Sequence, residues 1–334
     1  MNIQDEEKAR RRRLLILMGE NTPRNLTLDF TTMADGGLPG LVGQTWSIVS
    51  GKLINTPTTT GNELVTNGGF DSATTGWSAI SSAVLSSVAG GQSGNCLEVK
   101  NGAAANGSAR QQLLTAIDSW YLGSVYHKSG TGNGRIYVGS TASGTDLFDS
   151  GTITDASFAK KVFSVRAKTT DTYLRLFNGS STVDITTLYD TATVFQLLLS
   201  TLFAWRKFAT QYGIVKAGCN VVAGTPEGVY MNLDNPSNPA NMVTCLHNGT
   251  NLVLSKRVNG TVTELISTAA TYVAGALVEI RRAVNTNTYQ AFYNGSQVGV
   301  DQTISDASII NNKIHGLMGT HQQNQVLNFT FTGA

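Results

Sequence analysis

Asn-Gly pairs stand between alternating apolar runs at 248–249, 259–260 and 294–295, in "LHNGTNLVLSKRVNGTVTELI" and "YQAFYNGSQVGV". A two-residue hairpin of type I′ needs positive φ at both central residues, and Asn followed by Gly meets that need with little strain. The flanking side chains alternate with period two, so every second residue faces the same side of a sheet. These turns make residues 202–332 an antiparallel sandwich.

The rest of the composition agrees. Charged residues are 14% of the chain, against about 25% in an average globular protein. Gly (35) is abundant and Pro (6) scarce, while 41% hydrophobic content supplies real cores. An all-β protein with polar turns is expected, in one large or two medium domains. The formal net charge of +2 gives no global field for nucleic acid or membrane. Cys96, Cys219 and Cys245 lack metal-ligand spacing; Cys219 and Cys245 either pair or stand as small buried apolar residues. The apolar run "LLILM" (14–18) is shorter than a signal-peptide core and far shorter than a membrane span. Export by the usual route is therefore not expected, although the composition suits an extracellular or particle-borne protein.

Residues 1–20, "MNIQDEEKARRRRLLILMGE", read as a helix. Asp5 caps it, Glu6 and Glu7 occupy its first turn, Lys8 and Arg10 to Arg13 follow, and Gly19 stops it. It is either a solvated tail or a segment that docks to a partner. Strand alternation begins at Leu26 with "LTLDFTT", and "TPTTTGN" (56–62) is a polar linker. A second unit opens at "ELVTNGGFDSATTGW" and closes near "TTLYDTATVFQLLLS". Sequons at Asn178, Asn248, Asn259 and Asn294 are attributed to turn chemistry and not to glycosylation.

The middle unit, with "ELVTNGGFDSATTGWS", "SSVAGGQSGNCLEVKNG", "WYLGSVYHKSGTGNGRIYVGS" and "FNGSSTVDITTLYD", resembles carbohydrate-binding-module jelly rolls found in bacteriophage structural proteins. The last section, with "GTNLVLSKRVNGTVTELISTAATYVAGALVEIRR", is similar to concanavalin/laminin-G-like sandwiches. The opening that pattern usually has, "LDFTTMADGGLPGLVGQTWSIVSGKL", lies at residues 28–53, ahead of the middle unit. The resemblance implies an all-β chain of two β-sandwich (jelly-roll) domains, one inserted into the other. On this reading residues 1–25 form a helical docking segment. Residues 26–58 and 200–334 form the laminin-G-like sandwich, and 62–198 the inserted one.

Alternation also selects outward side chains. In "YLGSVYHK", Tyr126 and Lys128 share one face and Tyr121, Val125 and His127 the other; Arg135, Tyr137 and Arg175 point away from the core of their strands. A single outer face carrying Tyr126, Lys128, Arg135, Tyr137 and Arg175 suits glycans, since rings stack on sugar faces and guanidinium groups donate to hydroxyls or acidic groups. The alternative is a solvated sheet face. Phe70, Trp77, Trp46 and Trp205 are assigned to cores; Trp120 is either rim or core. In the resembled modules, acidic residues placed like Asp71 and Asp190 join carbonyls around a structural calcium; the alternative is a capped turn.

Nothing in the sequence supports catalysis. His127, His247, His315 and His321 are scattered, and Glu227 and Asp234 in "PEGVYMNLD" fall on opposite faces of a regular strand. The expected protein is a non-enzymatic virion component of a tailed bacteriophage, a head decoration, head fibre or tail appendage. Its residues 1–20 would dock to capsid or tail proteins and its sandwiches would meet host-surface glycans. The resemblance also implies a homo-oligomer, while the small net charge and the short apolar run lead to no expected nucleic-acid binding or membrane insertion. The alternatives are a decoration protein that binds no sugar and a bacterial surface carbohydrate-binding protein.

Overall fold

The computed structural model describes residues 22–38, 40–103 and 106–334. The helix expected over residues 1–20 lies outside them.

The protein is almost entirely antiparallel β-sheet, in four sheets. Two are built from strands before residue 56 and after residue 202. One of these runs Trp46–Val49, Lys52–Asn55, Gln325–Gly333, Gly213–Asn220, Leu277–Arg282, Thr288–Tyr293 and Ser296–Thr303. Asn25–Asp29 also joins it, with Leu28 opposite Phe329. The other runs Phe203–Lys207, Ile314–Gly319, Glu227–Leu233, Met242–His247, Asn251–Val258 and Thr261–Ala269. Between them lies a core that includes Phe30, Trp46, Ile48, Leu53, Val229, Met231, Ile280 and Phe331.

The intervening residues form the other two sheets. One runs Ala159–Arg166, Trp120–Ser129, Thr186–Leu197, Asn95–Lys100 and Val84–Ala89; the other runs Phe148–Asp149, Gly134–Gly139, Asp171–Asn178, Ser108–Leu114 and Ser78–Ile80. They enclose Phe70, Trp77, Val125, Ile136, Phe163, Leu174 and Tyr189. Thr59–Thr60 pairs with Gln196–Leu197, so the chain enters and leaves this middle sandwich side by side.

Local chemistry accounts for the turns. Asn259 and Gly260 have φ of 49° and 86°, and Asn294 and Gly295 have 48° and 83°, as type I′ hairpins need. The turn at 248–249 differs: only Gly249 has positive φ, and the Asn248 side chain accepts from the backbone N–H of Thr250 and Asn251. Asn178 is no hairpin residue at all. Its side chain is fully buried and donates to the Val99 and Ile185 carbonyls, which also closes that sequon to modification. In "NGGF", Asn67 donates to the carbonyls of Ser72, Ala73 and Thr75 and so closes the turn that follows. A Cβ on Gly68 would stand 2.0 Å from the Ala192 carbonyl oxygen, so only glycine admits this approach. Phe70 and Trp77 then meet in the core with ring centroids 5.4 Å apart.

A third apolar cluster joins the two sandwiches. Leu197, Leu202, Phe203, Tyr230, Met242, Leu246 and Met318 are buried there, with Trp120, Leu122 and Trp205 packed against them. Trp120 thus belongs to this seam. Trp205, expected in the core of the outer sandwich, is instead half-buried in the seam. The strand Glu227–Leu233 is buried at every position, because Val229 and Met231 face one core and Tyr230 faces the seam. Polar contacts lock the seam as well. Arg166 bridges Asp118 and, at 2.6 Å, Glu264. Asp118 accepts from the Val262 N–H, and Ser164 N–H donates to the Gly224 carbonyl. Cys96, Cys219 and Cys245 are buried free thiols, so Cys219 and Cys245 do not pair.

Candidate functional site

The strands Gly134–Gly139, Asp171–Asn178 and Ser108–Leu114 lie side by side and turn alternate residues outward. Ile136, Val138, Leu174, Leu176, Ala109 and Leu113 are buried beneath. Register then sets the outer rows. Tyr137 stands opposite Arg175 and Arg175 opposite Arg110. Arg135 stands opposite Phe177, and Tyr173 opposite Gln112.

The array is closely coupled. The Arg135 and Arg175 guanidinium groups lie 5.0 Å and 5.4 Å from the Tyr137 ring centroid, and Arg110 lies 5.6 Å from that of Tyr173. Tyr137 meets Phe177 edge-on at 5.4 Å. Arg135 forks onto both oxygens of Asp149. Arg110 and Arg175 donate instead to the carbonyls of Ala142 and Ser143, in a loop held by Asp146 against Ser140. Among the described residues no carboxylate lies within ion-pair distance of Arg110 or Arg175. Burial holds the Arg175 guanidinium below its ordinary range; the Tyr137 hydroxyl opposes this and the like charge of Arg110 adds to it. A partly desolvated cation without a counter-charge favours an anionic ligand. Beside it, Thr66, Gly76, Ser78, Gln112 and Tyr173 line a groove of about 310 Å³.

The five residues expected on one face are split. Arg135, Tyr137 and Arg175 share the face just described. Tyr126 and Lys128 belong to the other sheet of the sandwich, where Tyr126 lies opposite Asp190 and Lys160, and Lys128 lies 5.8 Å from the Phe158 ring centroid. Alternation tells inside from outside within a strand; it does not tell which of two sheets the strand joins. Arg110, Gln112, Tyr173 and Phe177 were missed. Tyr173 and Phe177 share the parity of Arg175 in "DTYLRLFN", and Arg110 and Gln112 alternate with Ala109, Gln111 and Leu113 in "SARQQLL", so a signal was present.

Asp71 and Asp190 both address the loop 90–95. Asp190 is fully buried and accepts from the N–H groups of Ser93 and Thr191, while Asp71 accepts from that of Asn95. These are the bonds of capped turns. No group of three or more His, Cys, Asp or Glu side chains able to hold a metal occurs among the described residues, so calcium at this place would need backbone carbonyls as further ligands.

The histidines are scattered in space as in sequence. His127 is buried between Asp155 and Thr187, and burial holds its imidazole below its ordinary range against the pull of the Asp155 carboxylate. Glu227 is fully buried in the outer core, and burial pushes its carboxyl well above the usual range. Asp234 caps the loop 235–241 through the N–H groups of Asn235 and Ala240 and the Asn241 side chain. The two acids do not share a cleft.

No protein family matches the sequence, and no curated protein matches it. Solved structures similar to the chain include carbohydrate-binding modules. A CBM4 structure shows 17% identity over 40% of this chain and 99% of its own, at a TM-score of 0.32. A tandem of two CBM22 modules from Paenibacillus barcinonensis shows 12% identity over 83% of this chain and 99% of its own, at 0.35. A protein of unknown function from Shewanella oneidensis MR-1 shows 10% identity over 99% of this chain and 93% of its own, at 0.27. At TM-scores this low no residue role carries over from those proteins.

Proposed function

We propose that this chain is a non-catalytic glycan-binding protein whose arginine-aromatic face takes acidic saccharides. The observation that carries the proposal is Arg175. It is a half-buried cation without a carboxylate, set between Tyr137 and Arg110 on a rigid sheet. A uronate or sialate carboxylate would supply the missing charge, and the half-exposed Tyr137, Tyr173 and Phe177 would meet the ring.

The test is calorimetry with hexagalacturonate and sialyllactose. Arg175→Ala and Tyr137→Ala are each expected to weaken binding about tenfold, the equivalent of about 1.4 kcal/mol, while Tyr126→Ala and Lys128→Ala leave it unchanged. Unaltered affinity in the first pair sinks the assignment of this face. Absence of binding by any acidic glycan leaves the purely structural reading.

The proposal extends to location. The low charge content and the resemblance of both sandwiches support display on a tailed-bacteriophage particle, docked through residues 1–20 and repeated as a homo-oligomer, where avidity would strengthen weak contacts. Focused reconstruction of purified particles tests this, and absence of the protein from them refutes it.

Calcium at Asp71 and Asp190 is a separate proposal. If it binds, millimolar calcium raises the melting temperature by several degrees and EDTA reverses the rise. Asp190→Asn would abolish the response. A melting temperature indifferent to both reagents leaves two capped turns.

A further inference from the structure

We propose that the seam between the two sandwiches is a second saccharide-binding site, one that takes a neutral, hydroxyl-rich oligosaccharide. It is formed by other side chains than the arginines and aromatics of the first face, although the segment carrying Asp146 and Asp149 borders both, and it does not depend on that face.

The seam is not closed along its whole length. Beside Trp120 a cleft of about 160 Å³ runs between the edge strand Ala159–Arg166 and the sheet carrying Met242–His247 and Asn251–Val258. It continues into a wider trough of about 780 Å³, sharing Asp146, Leu147, Ser164, Pro226, Asn248 and Asn251 with it. The combined shape is a trough with a narrow inner end, suited to an extended chain with one residue seated deeply.

The lining has two components. Trp120, Met242, Leu246 and Met318 give the inner end an apolar floor. Above it are polar groups that the protein does not use. Ser164 is 3% exposed and its Oγ has no hydrogen-bond partner among the described residues. Arg257 donates through Nη1 to the Asp118 carbonyl, but its buried Nε has no partner. Buried donors without acceptors are uncommon in folded proteins, and each one calls for a reason. A half-exposed indole beside free donors is the combination that stacks a sugar ring and bonds its hydroxyls.

Charge selects the class of sugar. Arg166 is matched by Asp118 and Glu264, and Lys256 by Asp306. Lys168 lies 3.9 Å from Asp146 and 3.8 Å from Glu264. Of the cations lining the cleft only Arg257, which donates to the Asp118 carbonyl, has no carboxylate within ion-pair distance among the described residues, and in the wider trough Lys160 has none. The seam therefore gives a polyanion less advantage than the arginine face, where Arg110 and Arg175 stand unmatched side by side.

The test uses the full chain and four hexasaccharides: cellohexaose, maltohexaose and mannohexaose as neutral probes and hexagalacturonate as the acidic one. Asn251→Trp and Ser267→Trp fill the trough from positions that are half-buried and exposed, so at least one is expected to keep the wild-type melting temperature. A neutral probe should bind the wild type and lose at least fivefold in affinity in the plugged variant, while Arg175→Ala leaves that affinity intact. If plugging changes nothing and Arg175→Ala weakens every probe, the seam proposal falls and the arginine-face assignment stands. If plugging weakens the neutral probes and hexagalacturonate alike while Arg175→Ala weakens neither, the seam stands and the arginine face falls. If no neutral probe binds, the seam proposal is wrong.

Discussion

Replacing Glu227 by Gln is expected to raise the free energy of unfolding at pH 7, with a gain that shrinks as the pH falls toward the ordinary carboxylate range. Glu227 lies at the start of a strand buried on both faces, and neither carboxyl oxygen has a hydrogen-bond partner. A Cβ on Gly319 would touch Glu227 Oε1 at 3.0 Å and the Trp46 ring at the same distance, so the acid sits tightly within the outer core. Burial raises its folded-state pKa well above the ordinary 4.5. The acid therefore folds neutral, whereas the unfolded chain ionises it at neutral pH. Its contribution is fully present below the unfolded pKa. It is lost by about 1.4 kcal/mol for each pH unit above that value, until the folded pKa is reached. Gln keeps the shape and cannot ionise. Denaturant melts of both proteins between pH 4.5 and 7 check this: their stabilities should converge at the acid end. A constant difference across that range would mean that Glu227 is charged in the folded protein.

Asn232→Ala should be the most damaging substitution of a single side chain described here, costing about 4 kcal/mol. Asn232 is fully buried with φ of 57° at the bulge where the strand shifts register against Ile314–Gly319. Its Nδ2 donates to the carbonyls of Gln211 and Asn312, and its Oδ1 accepts from the Tyr289 hydroxyl. Its backbone N–H donates to His315 Nδ1, and His315 Nε2 donates to the Thr210 carbonyl. That arrangement requires a neutral imidazole, in keeping with burial lowering the His315 pKa to about 4. Alanine strands three partners and must still adopt positive φ, a strain of about 1 kcal/mol that Gly avoids. Asn232→Gly should therefore be destabilised about 1 kcal/mol less than Asn232→Ala. Equal losses in urea melts would show that the bulge relaxes and that only the hydrogen bonds matter.

What the sequence makes legible is local. Asn259-Gly260 and Asn294-Gly295 read correctly because a type I′ turn is a property of two residues. Phe70 and Trp77 read correctly because the turn between them is closed by Asn67 a few residues away. Arg135, Tyr137 and Arg175 read correctly as outward-facing side chains of their strands because alternation is also local. Tyr126 and Lys128 were misplaced because sheet membership depends on pairing between distant segments, such as Tyr126 with Asp190. The seam was invisible for a related reason. Trp120, Trp205 and Tyr230 belong to strands whose outer faces look solvated until a second sandwich covers them. Ser164 alternates like an exposed serine and is buried only by that contact.

The strand Glu227–Leu233 shows that the two sandwiches are not equal partners in any exchange of parts. A library that trades the middle sandwich for other modules would keep Thr59–Thr60 and Gln196–Leu197 as its splice points. It would nevertheless leave Phe203, Tyr230, Met242 and Met318 uncovered on the recipient, an apolar patch facing solvent. Recombination at this stem therefore succeeds only with modules that bring their own counterparts of Trp120 and Leu122. Diversification of such a scaffold should fall on the arginine face, whose Arg110, Tyr137, Tyr173 and Arg175 lie outside the apolar seam.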